Sequence, residues 1–164
     1  MSWKSGKDLE AYAANEMELK DLLGMEAAYI EVLKGRAQLF VEGGRTERAL
    51  IMLEMLEALD RRDVTPSLVA AELLIKEGRS DAAEAKIESI LARMPEHPDA
   101  LVAKAELKIA IGELAPAAAI LKKVIDGDPQ ASTAAGKRAL AVAVQAHHRL
   151  GSSESQLAER PWLA

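Results

Sequence analysis

The sequence predicts an all-α fold: a solenoid of three stacked helical hairpins with an N-terminal helix and a C-terminal capping helix. Two observations predict it. The first is a 34-residue period. Gly44, Gly78 and Gly112 keep that step, and so do Ala37, Ala71 and Ala105, and Ala49, Ala83 and Ala117. Bulky aliphatics follow in phase as Leu53, Ile87 and Leu121, then Leu56, Ile90 and Val124, and Pro95 and Pro129 close two units. A period of this size marks stacked supersecondary units, each too small to stand alone. The second observation is composition. Ala, Leu, Glu and Lys dominate, which favours helix. The aromatics are Trp3, Tyr12, Tyr29, Phe40 and Trp162, so the core must be aliphatic.

Residues 1–29 are a polar lead-in and a helix. Leu9, Tyr12, Ala13, Leu19, Leu22 and Leu23 recur at helical spacing from Asp8 to Leu23, and Gly24 ends the run. Three units follow at 30–63, 64–97 and 98–131, each divided at its glycine. Thr46 and Ser80 suit the N-caps of the second helices, and Pro116 suits the first turn of the third. Pro66 and Pro98 open first helices. A capping helix is expected over 132–150, with Ala139 continuing an alanine column and Gly151 ending it. Residues 151–164 read as a flexible tail. Gly35 and Gly136 lie inside helices, where close backbone approach would explain them.

The columns resemble the tetratricopeptide repeat. That family has small residues at repeat positions 8 and 20, glycine near the inter-helix turn and proline at 32. Here position 8 is Ala37, Ala71 and Ala105; position 20 is Ala49, Ala83 and Ala117; position 32 is Arg61, Pro95 and Pro129. Two departures stand out. Positions 4 and 11, large in the family, are Leu33, Ser67 and Leu101, then Phe40, Leu74 and Lys108. Position 27, often alanine, is Leu56, Ile90 and Val124.

The resemblance implies a concave groove lined by first-helix positions 2, 5, 9, 12 and 13. Position 5 gives Lys34, Leu68, Val102 and Gly136. Position 9 gives Gln38, Glu72, Glu106 and Leu140. Position 12 gives the apolar ladder Val41, Ile75, Ile109 and Ala143. The expected function is a protein–protein interaction module (an adaptor, chaperone or assembly subunit) that holds a polypeptide segment with apolar anchors and some positive charge. The alternative is a self-associating, homo-oligomeric subunit using the same apolar face. A two-carboxylate clamp for chaperone C-termini is not expected, because only Lys34 matches its pattern and Asp99 would repel the ligand. A weaker resemblance, resting on architecture and on Leu56-Glu57-Ala58-Leu59-Asp60, is to the bacterial type III secretion chaperones that hold translocator proteins.

Other classes are not expected. The formal charge is −5 and no basic run exceeds two residues, which argues against nucleic acid. No apolar stretch suits a bilayer or a secretory leader, so a cytoplasmic protein is expected. The chain has no cysteine. His147 and His148 are adjacent and point about 100° apart on a helix, so they cannot chelate as a pair. No nucleophile elbow or phosphate loop appears, and neither an enzyme, a cofactor nor a metal is expected. Trp3 and Trp162 are terminal aromatics that could dock in an apolar groove.

Overall fold

A computed structural model of the chain describes the backbone of residues 5–158 and the side chains of residues 5–148. Trp3 and Trp162 lie outside the described residues, as does the tail beyond Ala158. The described residues form α1 (Gly6–Ala13), α2 (Leu19–Leu22), α3 (Ala27–Glu42), α4 (Thr46–Leu59), α5 (Thr65–Lys76), α6 (Ser80–Arg93), α7 (Pro98–Ala110), α8 (Leu114–Gly127) and α9 (Ala134–Ala158), with no strand among them. The fold is all-α, of the tetratricopeptide-like class. The chain divides into two compact units, Met1–Lys86 and Ile87–Ala164, and α6 carries it from the first into the second.

The repeat columns are the core. All six alanines at positions 8 and 20 are at most 2% exposed. Alanine there lets paired helices approach closely, and a larger side chain would overpack the contact. In the first unit α3 packs on α4 and α4 on α5, with Leu53, Leu56 and Leu74 buried. In the second, α7, α8 and α9 pack around Val102, Ala105, Ala117, Leu121, Val124 and Ala139.

The glycine column makes the same turn three times. Gly44, Gly78 and Gly112 have φ of +64°, +72° and +85°, the left-handed region where a Cβ is disfavoured. The next N–H then reaches back five residues: Arg45 to the Phe40 carbonyl at 2.8 Å, Arg79 to Leu74 at 2.9 Å and Glu113 to Lys108 at 2.8 Å. This closure satisfies carbonyls left open at a helix end.

Four local expectations need correction. The leading helix expected over 8–23 is broken into α1 and α2. Asn15 takes φ +62° between them, a conformation asparagine tolerates better than most residues. Neither Thr46 nor Ser80 is an N-cap: each is the first helical residue, of α4 and of α6, and the Thr46 hydroxyl donates to Glu77 Oε1 at 3.0 Å. Helix α9 runs through Gly151 to Ala158, because one interior glycine costs only about 1 kcal/mol and does not by itself end a helix. Gly35 has open space where its Cβ would be, so close approach does not explain it. At Gly136 the approach is real but internal, since a Cβ there would run into Asp128 Oδ2.

Candidate functional site

In the first unit α3 and α5 stand apart over a floor made by α4. The space between them is a cavity of about 290 Å3. Lys34, Gln38 and Val41 of α3 line one side. They sit at positions i, i+4 and i+7, so helical periodicity places them on one face. Thr65, Pro66 and Val69 of α5 line the other, and Ala37, Leu53 and Leu56 form the base. Pro66 is placed there because it opens α5 in the first turn, where its missing N–H costs no helical bond.

The polar rim is satisfied from within. Lys34 Nζ lies 2.9 Å from Asp63 and 3.1 Å from Glu31. The bond to Asp63, then that to Glu31, raises the Lys34 pKa against the effect of burial. Burial pushes the Asp63 carboxyl up, but the Lys34 bond and those from Thr65 prevail and hold it below its ordinary value. Gln38 Nε2 donates to Glu42 Oε1 at 2.9 Å. What the cavity offers is therefore an apolar base. Its volume is at the low end of ligand pockets and suits one bulky apolar side chain better than a whole cofactor.

The other expected groove residues do not join this cavity. Leu68, Glu72 and Ile75 are half-buried on α5 outside it. Val102 is a correction: it is 0% exposed inside the α7–α8–α9 core, and a side chain with no free surface offers a partner nothing. Glu106 is bound by Arg138 of α9, whose Nε donates to Oε1 at 2.9 Å and whose Nη2 donates to Oε2 at 2.5 Å. Ile109 and Ala143 share a second cavity of about 360 Å3. Most of its wall is α8, through Leu114, Ala118, Leu121 and Ile125, rather than first helices. Leu140 is 48% exposed, as is Val144 one turn on at 49%.

Thr65 falls at repeat position 2, one of the expected groove positions, but sequence reasoning missed Pro66 and Val69 as partners of Lys34, Gln38 and Val41. The spacing of Pro66 and Val69, three apart on α5, was the available signal.

A family model for the tetratricopeptide repeat matches residues 74–142. No curated protein matches the chain. Among solved structures, the chain is similar to the first tetratricopeptide repeat domain of Spaghetti (RPAP3), solved bound to the HSP90 peptide SRMEEVD. The TM-score is 0.60 at 14% identity, over 77% of this chain and 96% of that one. The match to the repeat model is thus to residues 74–142, and the structural likeness shows the same helical fold over most of the chain. Among the described residues no helix is long and apolar enough to cross a membrane.

Proposed function

We propose that this chain is a protein-interaction module that holds an extended polypeptide segment, with one bulky apolar side chain anchored between α3 and α5. The observation that carries the reading is the cavity in which Lys34, Gln38 and Val41 stand over the Leu53–Leu56 base. Its apolar base can reward an aliphatic or aromatic anchor, while the rim sets one ammonium against two carboxylates and so keeps a net negative charge, which favours a segment with some positive charge. Tetratricopeptide repeats are protein-interaction modules rather than typical enzymes, and the similar Spaghetti domain was solved with a peptide, which supports the class of ligand.

The specific ligand differs. Lys34 is the one clamp-like residue, and Asp63 and Glu31 already occupy it. The stretch 56–60 is accounted for by packing. Leu56 and Leu59 are 3% and 6% exposed, Glu57 pairs with Lys86 at 2.6 Å, and Asp60 pairs with Lys20. It gives no reason to narrow the reading to secretion chaperones.

Selection of a displayed random-peptide library on the full chain tests the proposal. Enriched peptides should share an aliphatic or aromatic residue and lose at least ~10-fold in affinity to the Val41→Asp variant, since burying one such side chain is worth about 1.5–3 kcal/mol. Failure to enrich, or equal binding to Val41→Asp, contradicts it. A second reading, self-association, is favoured by Leu140 and Val144, half-exposed one turn apart on α9. Sedimentation over a concentration series separates the two, because only self-association raises the mass.

A further inference from the structure

Residues 5–24 lie against the end of α4, and charged groups hold them there. Repeat position 32 is proline in the second and third units, Pro95 and Pro129, but Arg61 in the first. Arg61 grips with backbone and side chain. Its N–H donates to Glu18 Oε2 at 2.9 Å, and its Nε donates to the same oxygen at 3.3 Å. Its guanidinium also donates to Asn15 Oδ1 and to the Met17 carbonyl, and lies 5.2 Å from the centre of the Tyr12 ring. Arg62 Nε reaches Glu18 Oε1 at 3.2 Å, and Lys20 pairs with Asp60.

Apolar burial contributes little by comparison. No side chain of α1 or α2 is buried. Leu19 and Leu22 are half-buried, and Leu9 and Leu23 are 54% and 59% exposed. Glu18, in contrast, is only 4% exposed. Short helices owe most of their stability to a packed apolar face, which these two lack. Removing one partner of a charge-assisted bond costs more than losing a neutral one, because the buried group left behind has given up its water.

We infer that residues 5–24 are a detachable strap, secured by the Glu18–Arg61–Arg62 contact and the Lys20–Asp60 pair, which leaves α4 as a unit while the α3–α4 hairpin stays folded. Gly24, at φ +64°, is the pivot between the strap and α3. Between the strap and α3 is a recess lined by Lys20 and Asp21 of the strap and by Ala27, Ile30, Glu31 and Lys34 of α3. Lys34 also borders the cavity between α3 and α5. Release of the strap would uncover the Lys34 side of that cavity, a role that rests on the peptide-binding reading.

Hydrogen exchange of the full chain tests the strap without any ligand, so its result is separate from whether the cavity binds a peptide. The amides of Ala14, Glu16, Leu22 and Leu23 bond within the strap, and that of Arg61 bonds Glu18. In Glu18→Ala the strap amides should exchange about 10–100-fold faster, the equivalent of one lost charge-assisted bond, with Leu53 and Leu56 unchanged. Arg61→Pro should do the same and decides the matter if Glu18→Ala also disturbs α4. It supplies the residue that the other units use, and Asp60 is already extended (φ −142°, ψ 95°), as a residue before proline must be. Strap amides that are unprotected in the natural chain, unchanged in Arg61→Pro, or lost together with those of α4 in that variant overturn the inference.

Discussion

The two units use the same repeat position in opposite ways. At position 5 the first unit has Lys34 and the second has Val102. The Lys34 ammonium is drawn to Asp63 and Glu31, and the space beside α5 stays open. Val102 turns into the core that α9 closes, and is 0% exposed. Position 9 follows suit. Gln38 bonds within its own helix to Glu42, whereas Glu106 takes two bonds from Arg138 on α9. At positions 5 and 9 the α7–α9 seam is filled by an apolar side chain and an ion pair, and its cavity lies farther along, at Ile109 and Ala143, whereas the α3–α5 seam is open at positions 5 and 9 themselves. On the proposed reading, a repeat position offers a surface to a partner only where its residue leaves the seam unfilled.

Exchanging these residues should break the contrast most severely at Val102. Val102→Lys puts an ammonium where nothing can solvate it and should cost about 3 kcal/mol or more in urea unfolding. A loss under ~1 kcal/mol would mean that the second seam is as open as the first. Next in size, Arg138→Ala leaves the Glu106 carboxylate part-buried without that partner and should cost about 1–3 kcal/mol by the same measurement. Gln38→Ala at the position equivalent to Glu106 should change stability by less than ~0.5 kcal/mol. The reverse exchange, Lys34→Val, puts a smaller side chain at the rim and leaves the part-buried Asp63 carboxylate without its cation, so it should cost about 0.5–2 kcal/mol in urea unfolding while the cavity stays open to selected peptides. Loss of peptide binding without loss of stability would show that valine closes this seam as it closes the second.

Position 5 of α9 is Gly136, and it sharpens the same point. The Asp128 carboxylate accepts from the Thr133 hydroxyl and N–H at 2.7 and 2.8 Å, and from the Ser132 N–H and hydroxyl at 3.0 and 2.8 Å. These bonds, Thr133 first, hold its carboxyl well below the usual range. A lowered folded value means that its contribution is present above the ordinary carboxylate range and is lost as pH falls through and below it. Exchange protection of the first turn of α9 should therefore fall at acid pH, and Asp128→Ala should remove that dependence. Gly136→Ala should destabilise the natural chain but stabilise an Asp128→Ala background by about 0.5–1 kcal/mol, since alanine is the better helix former once the carboxylate is gone. The smallest expected effect is none: the SRMEEVD peptide should not bind, with Kd weaker than about 1 mM by calorimetry.

The helical hairpins were legible because their determinants are local and periodic. Small residues at 8 and 20 and glycine at the turn impose the same steric demand in each unit. The site was legible only in part. Lys34, Gln38 and Val41 share one helix face, and a 3.6-residue period shows that. Position 5 on a different helix looked equivalent, yet burial of Val102 depends on the helix packed against it, which no single-helix pattern contains. The same limit hid the strap. Arg61 stood out as an exception in the proline column, but its partners Asn15, Met17 and Glu18 lie more than 40 residues away and meet it only through the break at Asn15.

Because the chain has no cysteine, single thiols can report the two seams directly. Thiol alkylation should label Val41→Cys readily and slow when a selected peptide is bound. Val102→Cys should label at least ~100-fold more slowly, through local opening alone, and ignore the peptide. Equal labelling rates at the two positions, or no protection of Val41→Cys by a peptide that binds, would contradict the account.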